Sequence, residues 1–139
     1  MGVRGKQLRQ SWLRFAAVFS LFILSACGGE QASTLPPQKW QALDVRVESR
    51  PNPPRVGMNE FLVMVTGERG RPAHDLVVSL RTDDHDVWTQ AIQDGQLGIY
   101  RRAVEVAPGV RSVLQVQVKR NGEEGILRFP LQLPGGTPQ

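Results

Sequence analysis

Residues 112–133 read SVLQVQVKRNGEEGILRFPLQL, with apolar and polar side chains alternating on both sides of a polar loop. Successive side chains of a strand point to opposite faces, so this period of two predicts two half-buried strands. The Asn121-Gly122 pair tolerates positive φ and predicts a hairpin between them. Pro130 lacks an amide hydrogen, which predicts that the second strand is bulged or lies at a sheet edge. The predicted inward side chains are Leu114, Val116, Val118, Leu127, Phe129, Leu131 and Leu133; the predicted outward ones are Gln115, Gln117, Lys119, Ile126, Arg128, Pro130 and Gln132.

The same period of two recurs through the preceding part of the chain, where turn-forming Gly, Pro, Asn and Asp residues separate the apolar runs. Further strands are predicted at residues 42–48, 61–66, 76–81, 87–92 and 97–106. Seven short strands at roughly ten-residue spacing, with no amphipathic helical pattern, are typical of an all-β fold. The sequence therefore predicts an Ig-like β-sandwich.

Three large aromatic residues fall within or beside this predicted domain. Tyr100 and Trp88 lie in predicted strands, and core packing is the expected role of both. Trp40 lies at the predicted start of the domain, where it would either be an exposed contact or cover an edge strand.

The N-terminal residues have the pattern of an export signal. Four basic residues and no acidic residue precede the apolar run FAAVFSLFIL, residues 15–24. This run is too short to span a bilayer, which takes about 20 residues. The next residues complete Leu24-Ser25-Ala26-Cys27, which resembles the lipobox of bacterial lipoproteins. The resemblance implies cleavage before Cys27 and lipidation of Cys27; the alternative is an ordinary cleavable signal with a chance cysteine.

These features divide the chain into four predicted parts. Residues 1–26 are the signal peptide, and residues 27–39 are the lipidated N-terminus and a short flexible linker. Residues 40–134 form the β-sandwich, and residues 135–139 form a flexible tail. Gly28 stands where aspartate is the usual inner-membrane retention signal, which by resemblance favours the outer membrane, facing the periplasm, over the inner membrane.

The formal charge of +4 does not describe the processed protein. Four of the 17 basic residues precede Cys27, so processing leaves 13 basic residues against 13 acidic ones. The processed chain is formally neutral, which argues against nucleic acid as a partner. We expect a monomer.

Residues 56–80, VGMNEFLVMVTGERGRPAHDLVVSL, resemble the opening of YtkA-like and FixH-like domains, and residues 97–133 resemble their second half. The second half carries Gly98-Ile99-Tyr100 for the family's Gly-x-Tyr and Pro108-Gly109 for its turn. The resemblance implies a role near copper handling or respiratory oxidase assembly at bacterial membranes. This chain departs from the family where members often carry methionine and histidine, reading RTDDHDVW at residues 81–88, and lacks a tryptophan after Pro108-Gly109.

The segment Asp83-Asp84-His85-Asp86 offers three carboxylates and one imidazole, a set that would suit Zn²⁺ or Ni²⁺ better than Cu(I). The alternative is a solvated turn initiated by aspartate. His74 and Asp75 could form an acid–base pair, but adjacent residues are poorly placed for it and a loop role is favoured. Cu(I) prefers sulfur ligands, and after acylation of Cys27 only Met58 and Met64 remain, with Met64 expected in the core.

No nucleotide-binding loop, nucleophile constellation or metal-ligand set of sound spacing occurs in the sequence, so we expect neither an enzyme nor a bound cofactor. The sequence favours a membrane-anchored envelope lipoprotein whose Ig-like domain binds another envelope protein during assembly of a respiratory or copper metalloenzyme. Sheet-edge pairing is one way in which it could bind. The alternatives are a periplasmic carrier of a divalent metal ion and a purely structural envelope lipoprotein.

Overall fold

The computed structural model describes residues 35–109 and 112–134, and these residues form two antiparallel sheets packed as a sandwich. The predicted signal peptide, Cys27 and the tail 135–139 lie outside the described residues. No helix in the described part of the chain is long and apolar enough to cross a membrane. The strands are β1 (Gln38–Trp40), β2 (Leu43–Arg50), β3 (Gly57–Thr66), β4 (Val77–Arg81), β5 (Thr89–Gln90), β6 (Ile92–Gln93), β7 (Ile99–Val106), β8 (Val113–Arg120) and β9 (Glu123–Pro130), with one 3₁₀ turn at Glu68–Gly70.

The strand order is β1-β2-β3-β7-β6 in sheet A and β5-β4-β8-β9 in sheet B. The predicted all-β, Ig-like sandwich is confirmed. The predicted strand 87–92 is divided in two, because the chain passes from sheet B to sheet A at Ala91. Ala91 is buried, and its N–H donates to Val78 O at 2.8 Å, so the crossing is itself part of the packed structure.

The core lies between the sheets and is formed by the side chains predicted from the period of two. Leu114, Val116 and Val118 of β8 are fully buried, as are Val45 and Val47 of β2. In β9 the predicted inward residues Leu127 and Phe129 are buried, and Leu131 follows them into the core. Fully burying a side chain of this size stabilises the fold by about 1.5–3 kcal/mol.

The packed domain begins earlier than the predicted boundary at Trp40. Leu35, which the sequence analysis placed in the linker, is 2% exposed and belongs to the core. Residues Gln38–Trp40 pair with β2 as β1. The packed part of the chain therefore includes Leu35, because its apolar side chain is buried in the core.

Trp40 covers the edge strand β9, one of the two roles expected of it. A Cβ at Gly125 of β9 would lie 2.1 Å from Trp40 Nε1, so the absence of a side chain at Gly125 makes room for the indole. The neighbouring Gln38 Nε2 donates to Arg128 O on the same strand at 2.6 Å. β9 is the outer strand of sheet B, as Pro130 predicted, and β1 shields part of its edge.

Tyr100 fixes the long loop between β3 and β4. The residue is buried, as predicted, and its hydroxyl donates to Ala73 O at 3.0 Å. Burial raises the pKa of the Tyr100 hydroxyl above its usual value of 10.0. The neighbouring Gly98 has φ of +79° and its carbonyl accepts from Val65 N at 2.8 Å, so the Gly98–Tyr100 segment ties β7 to β3 and to the loop.

Candidate functional site at the Asp83–Asp86 turn

The Asp83–Asp86 segment is a turn that follows β4, as the solvated-turn interpretation requires. Asp83 Oδ1 accepts from His85 N at 2.8 Å, and Asp83 O accepts from Asp86 N at 3.2 Å. Asp86 Oδ2 lies 3.3 Å from the Thr82 hydroxyl oxygen. Aspartate side chains that bond to nearby backbone groups stabilise such turns.

Asp84 is held by three side chains from three adjacent strands of sheet B. Its Oδ1 accepts from Gln115 Nε2 at 2.7 Å, Arg81 NH2 at 3.2 Å and Arg128 NH2 at 3.5 Å. The strand register places these partners in one row, since Arg81 lies opposite Gln115 and Gln115 lies opposite Arg128. We call these four residues the Asp84 cluster.

The Asp84 cluster favours the ionised carboxylate. The hydrogen bond from Gln115 is the largest cause that lowers the pKa of Asp84 below its usual value of 3.8; the positive charges of Arg128 and Arg81 add to it, and desolvation opposes it. Because the pKa is lowered in the folded state, this contribution to stability is present at neutral pH and is lost as the pH falls through the lowered pKa. The cluster therefore ties the turn to the outer face of sheet B under ordinary conditions.

Trp88 belongs to this surface rather than to the core, so its predicted core position is wrong. It is half-buried, and the Arg81 guanidinium carbon lies 4.3 Å from the centre of its ring. A guanidinium over an indole face is a favourable cation–π contact. Trp88 and Asp84 thus hold Arg81 from two sides.

The four predicted metal ligands do not converge in the structure. The carboxylates of Asp83 and Asp84 bond to different partners, and His85 is exposed. Across residues 35–109 and 112–134, no group of three or more acidic, histidine or cysteine side chains is placed to hold a metal ion. Metal binding through Asp83, Asp84, His85 and Asp86 therefore stays a prediction that requires rearrangement of the turn.

The two methionines of the domain are separated along β3. Met64 is half-buried on the outer face of sheet A rather than in the core, opposite Ile99. Met58 is 61% exposed on the same face, six residues earlier. A strand rises about 3.4 Å per residue, so the two are roughly 20 Å apart and cannot share one copper ion without unfolding the strand.

His74 and Asp75 are not arranged as an acid–base pair. Asp75 Oδ2 accepts from Arg120 Nε at 2.9 Å, and this hydrogen bond is the largest cause that lowers the pKa of Asp75 below 3.8. His74 is exposed beside them in a cavity of about 400 Å³ between the β3–β4 loop and the end of β8. Asp75 therefore fastens the loop to β8, and His74 is an exposed loop residue beside it.

Sequence reasoning missed the partners of both aspartates. Arg81 precedes Asp84 by three residues and could have been found by spacing, but Gln115, Arg128 and Arg120 reach the loops only through the strand register. Cys27, the predicted lipidation site, lies outside the described residues. No family model, curated protein or solved structure matches this chain.

The turn gives a direct test of metal binding. We expect the chain to retain no Cu(I) against a competing chelator, because Met58 and Met64, the sulfur ligands among the described residues, are separated along β3. Divalent binding should be weak and should disappear in His85→Ala, since the carboxylates would have to leave their present partners. Calorimetric titration with Zn²⁺ measures this. His74→Ala, which removes an exposed histidine from a different loop, is the matched control and should not change the binding. Stoichiometric Cu(I) retention would contradict this expectation.

Proposed function

We propose that this chain is a lipid-anchored protein of the bacterial cell envelope whose β-sandwich is a non-catalytic module that binds another envelope protein. The observation that carries the proposal is Leu24-Ser25-Ala26-Cys27 directly after a basic and apolar N-terminal segment. A mature lipoprotein carries two or three acyl chains, and more than one chain is needed for stable anchoring. This protein and its partner would then meet at the membrane surface.

A binding role, rather than catalysis, is supported by how the polar side chains of the domain are used. Asp84 and Asp75 each accept hydrogen bonds from side chains of neighbouring strands, so each aspartate holds its loop to the sheet. The two histidines of the domain lie on separate loops, at residues 74 and 85. Catalysis by proton transfer needs an acid or base within hydrogen-bond reach of its partner and of the substrate.

Assistance in the assembly of a respiratory or copper metalloenzyme is the more specific form of the proposal. It rests on the resemblance to YtkA-like and FixH-like domains through Gly98, Tyr100 and Pro108-Gly109. Gly98 and Tyr100 have structural roles in this chain, because their hydrogen bonds join β3, β7 and the β3–β4 loop. The identity of the partner is therefore best sought among the genes adjacent to this one, where oxidase or copper genes would support assembly and secretion or cell-wall genes would oppose it.

Two other functions compete with this proposal. A carrier of a divalent ion would require the Asp83–Asp86 turn to release its internal hydrogen bonds, and the Zn²⁺ titration above tests it. A structural lipoprotein without a ligand would show no specific partner on cross-linking in intact cells. No observation on the described residues favours either over a binding module.

The anchor is tested by Cys27→Ser. This change removes the thiol to which the acyl groups attach, so we expect complete loss of labelled palmitate from the protein and its appearance in soluble or unprocessed fractions. Metabolic labelling with an alkyne analogue of palmitate, followed by fractionation, measures both.

Ser25→Ala is the matched control, since it keeps a small residue in the same four-residue segment and should leave labelling intact. If the Cys27→Ser protein is still processed and still sediments with membranes after a carbonate wash, the lipid anchor is wrong.

A further inference from the structure

β7 has one side that is largely uncovered. It pairs with β3 over its whole length, from Ile99 to Val106, whereas on its other side β6 pairs with Tyr100 and Arg101 alone. The residues that precede β6 form β5, which belongs to sheet B and does not continue alongside β7. A gap in the ladder of sheet A therefore begins after Arg101.

The backbone groups of Ala103 face this gap. Ile99 O accepts from Asp94 N at 2.9 Å, and Glu105 O accepts from the Thr82 hydroxyl at 2.5 Å, both on the uncovered side of β7. Backbone groups two residues apart in a strand point the same way, so the N–H and C=O of Ala103 lie on this side too. Within the described ranges, neither has a hydrogen-bond partner. Unpaired groups on a strand edge are a template for another strand.

Exposed apolar side chains gather around the gap. Met58, Val87 and Ile92 are 61%, 83% and 57% exposed, and they line two adjoining depressions that share Met58, Arg102 and Ala103. The depressions measure about 290 and 560 Å³. We call this surface, residues 102–105 with the three apolar side chains, the β7 opening.

Arg102 supplies a positive charge to the β7 opening. It alternates along β7 with the buried Tyr100 and Val104, yet its own side chain is exposed. Arg101 forms ion pairs with Glu60 and Asp94, while Arg102 has none recorded among the described residues. Asp86 and Glu105 line the same depression as Arg102, but among the described residues neither carboxylate forms an ion pair with it.

The size of the gap restricts what can fill it. Between Arg101 and Glu105 a strand extends about 14 Å at 3.4 Å per residue. A second copy paired through β7 is disfavoured, because Ile92 already occupies the position opposite Arg101 and each copy would bring its own β6. The two Arg102 charges would also repel each other across such a pair. A short extended segment of another protein avoids both conflicts.

We propose that the β7 opening binds an extended segment of a partner protein by strand addition to Ala103, with an acidic side chain facing Arg102 and apolar side chains facing Met58 and Ile92. The inference deepens the proposed binding function and rests on it for the identity of the partner as an envelope protein. The backbone hydrogen bonds to the added strand supply affinity. Arg102 and the apolar side chains supply specificity, because they contact alternate side chains of the bound segment.

The test uses two capped pentapeptides, Thr-Val-Glu-Val-Thr and Thr-Val-Lys-Val-Thr, whose central side chain and two valines point to opposite faces of a strand. The ¹⁵N-labelled full chain, purified from the cell envelope in detergent micelles, is titrated with each peptide to millimolar concentration. We expect the amide signals of Ala103 and Glu105 to shift with the glutamate peptide, and the lysine peptide to bind about fivefold more weakly, as one partly exposed ion pair allows.

Two variants and a modified peptide complete the experiment. Arg102→Glu should reverse the preference between the peptides. Ala103→Pro, which removes an N–H that bonds to no described group, should abolish binding of both while the signals of β8 stay unchanged. Methylating the valine amides of the glutamate peptide should weaken binding to the unaltered protein. Equal shifts with both peptides, or shifts elsewhere on the surface, would overturn the proposal.

Failure here is distinguishable from failure of the proposed function. If Cys27 is lipidated but neither peptide shifts Ala103, strand addition at β7 is wrong while the anchor stands. If the peptides bind as expected but Cys27→Ser leaves the protein in membranes, the opening stands and the anchor is wrong. A concentration-dependent shift of Ala103 without peptide would indicate a second copy in the gap and would overturn the proposed occupant.

Discussion

Val116→Asp is expected to leave residues 35–134 unfolded. Val116 is fully buried in β8, where it lies between Leu80 of β4 and Leu127 of β9 in the ladder of sheet B. A carboxylate there would lose its hydration without gaining a partner, and a change that buries an unpaired charge belongs to the class that costs more than about 4 kcal/mol. The free energy of unfolding of a whole domain is only about 5–15 kcal/mol, so a loss of this class removes a large share of it or all of it. Far-UV circular dichroism of residues 28–139 should show loss of β structure.

The matched control is Val77→Asp in the neighbouring strand β4. Val77 is 44% exposed on the outer face of the same sheet and lies opposite Lys119, so the same substitution places its charge in solvent beside a cation. We expect it to change the free energy of unfolding by no more than about 1 kcal/mol. Similar stability of the two variants would mean that β8 does not face the core as described.

Gly98→Ala is expected to have the second largest effect, a loss of roughly 3 kcal/mol or more. Its φ of +79° is costly for any residue with a Cβ, and an added Cβ would lie 2.8 Å from Val65 O and 2.9 Å from Pro72 Cβ. Neither atom is the far end of a flexible side chain, so the backbone of β3 or of the following loop must move. Urea denaturation, followed by circular dichroism, measures the loss.

Gly122→Ala is the control that separates the cost of a positive φ from the cost of steric crowding at Gly98. Gly122 has φ of +83° in the β8–β9 turn, but a Cβ there would meet nothing within 4 Å. Alanine should therefore cost only the strain of the left-handed conformation, about 1–2 kcal/mol. If both alanine variants lose the same stability, the close approach of β3 and the loop to Gly98 does not matter.

The sandwich could be predicted from the sequence because its strands are half-buried. In β8 and β9 one face meets the other sheet and the other meets solvent or polar neighbours, so the apolar period of two reports the packing directly. The β8–β9 hairpin was equally readable, since Asn121 and Gly122 both adopt positive φ in the turn. Both patterns depend only on residues that are close in sequence, so they can be recognised without knowing which strands pair.

Features that depend on distant partners were not readable. Gln115 and Gln117 alternate outward as predicted, yet they are only 3% and 7% exposed, because Asp84 and Glu124 side chains bond to them from neighbouring segments. The passage of the chain from sheet B to sheet A at Ala91 was not predicted, because residues 87–92 have the pattern of one continuous strand although they belong to two sheets. Leu35 stands alone among polar and proline residues, and its burial follows only from the apolar site that the folded edge provides.

The position of β1 has a mechanical consequence. Tension that reaches the domain from its N-terminal side would act first on Leu35, which is buried in the core, and then on β1, which is held to β2 by three residue pairs and to β9 through Trp40 and Gln38. The β2–β3 and β3–β7 ladders are longer, so Leu35 and β1 would detach at lower force than these two ladders would open. Detachment of β1 would strip the cover from Gly125 and from the Arg128 carbonyl. A pull on the N-terminal side would thereby convert the shielded edge of β9 into an available one before these two ladders open.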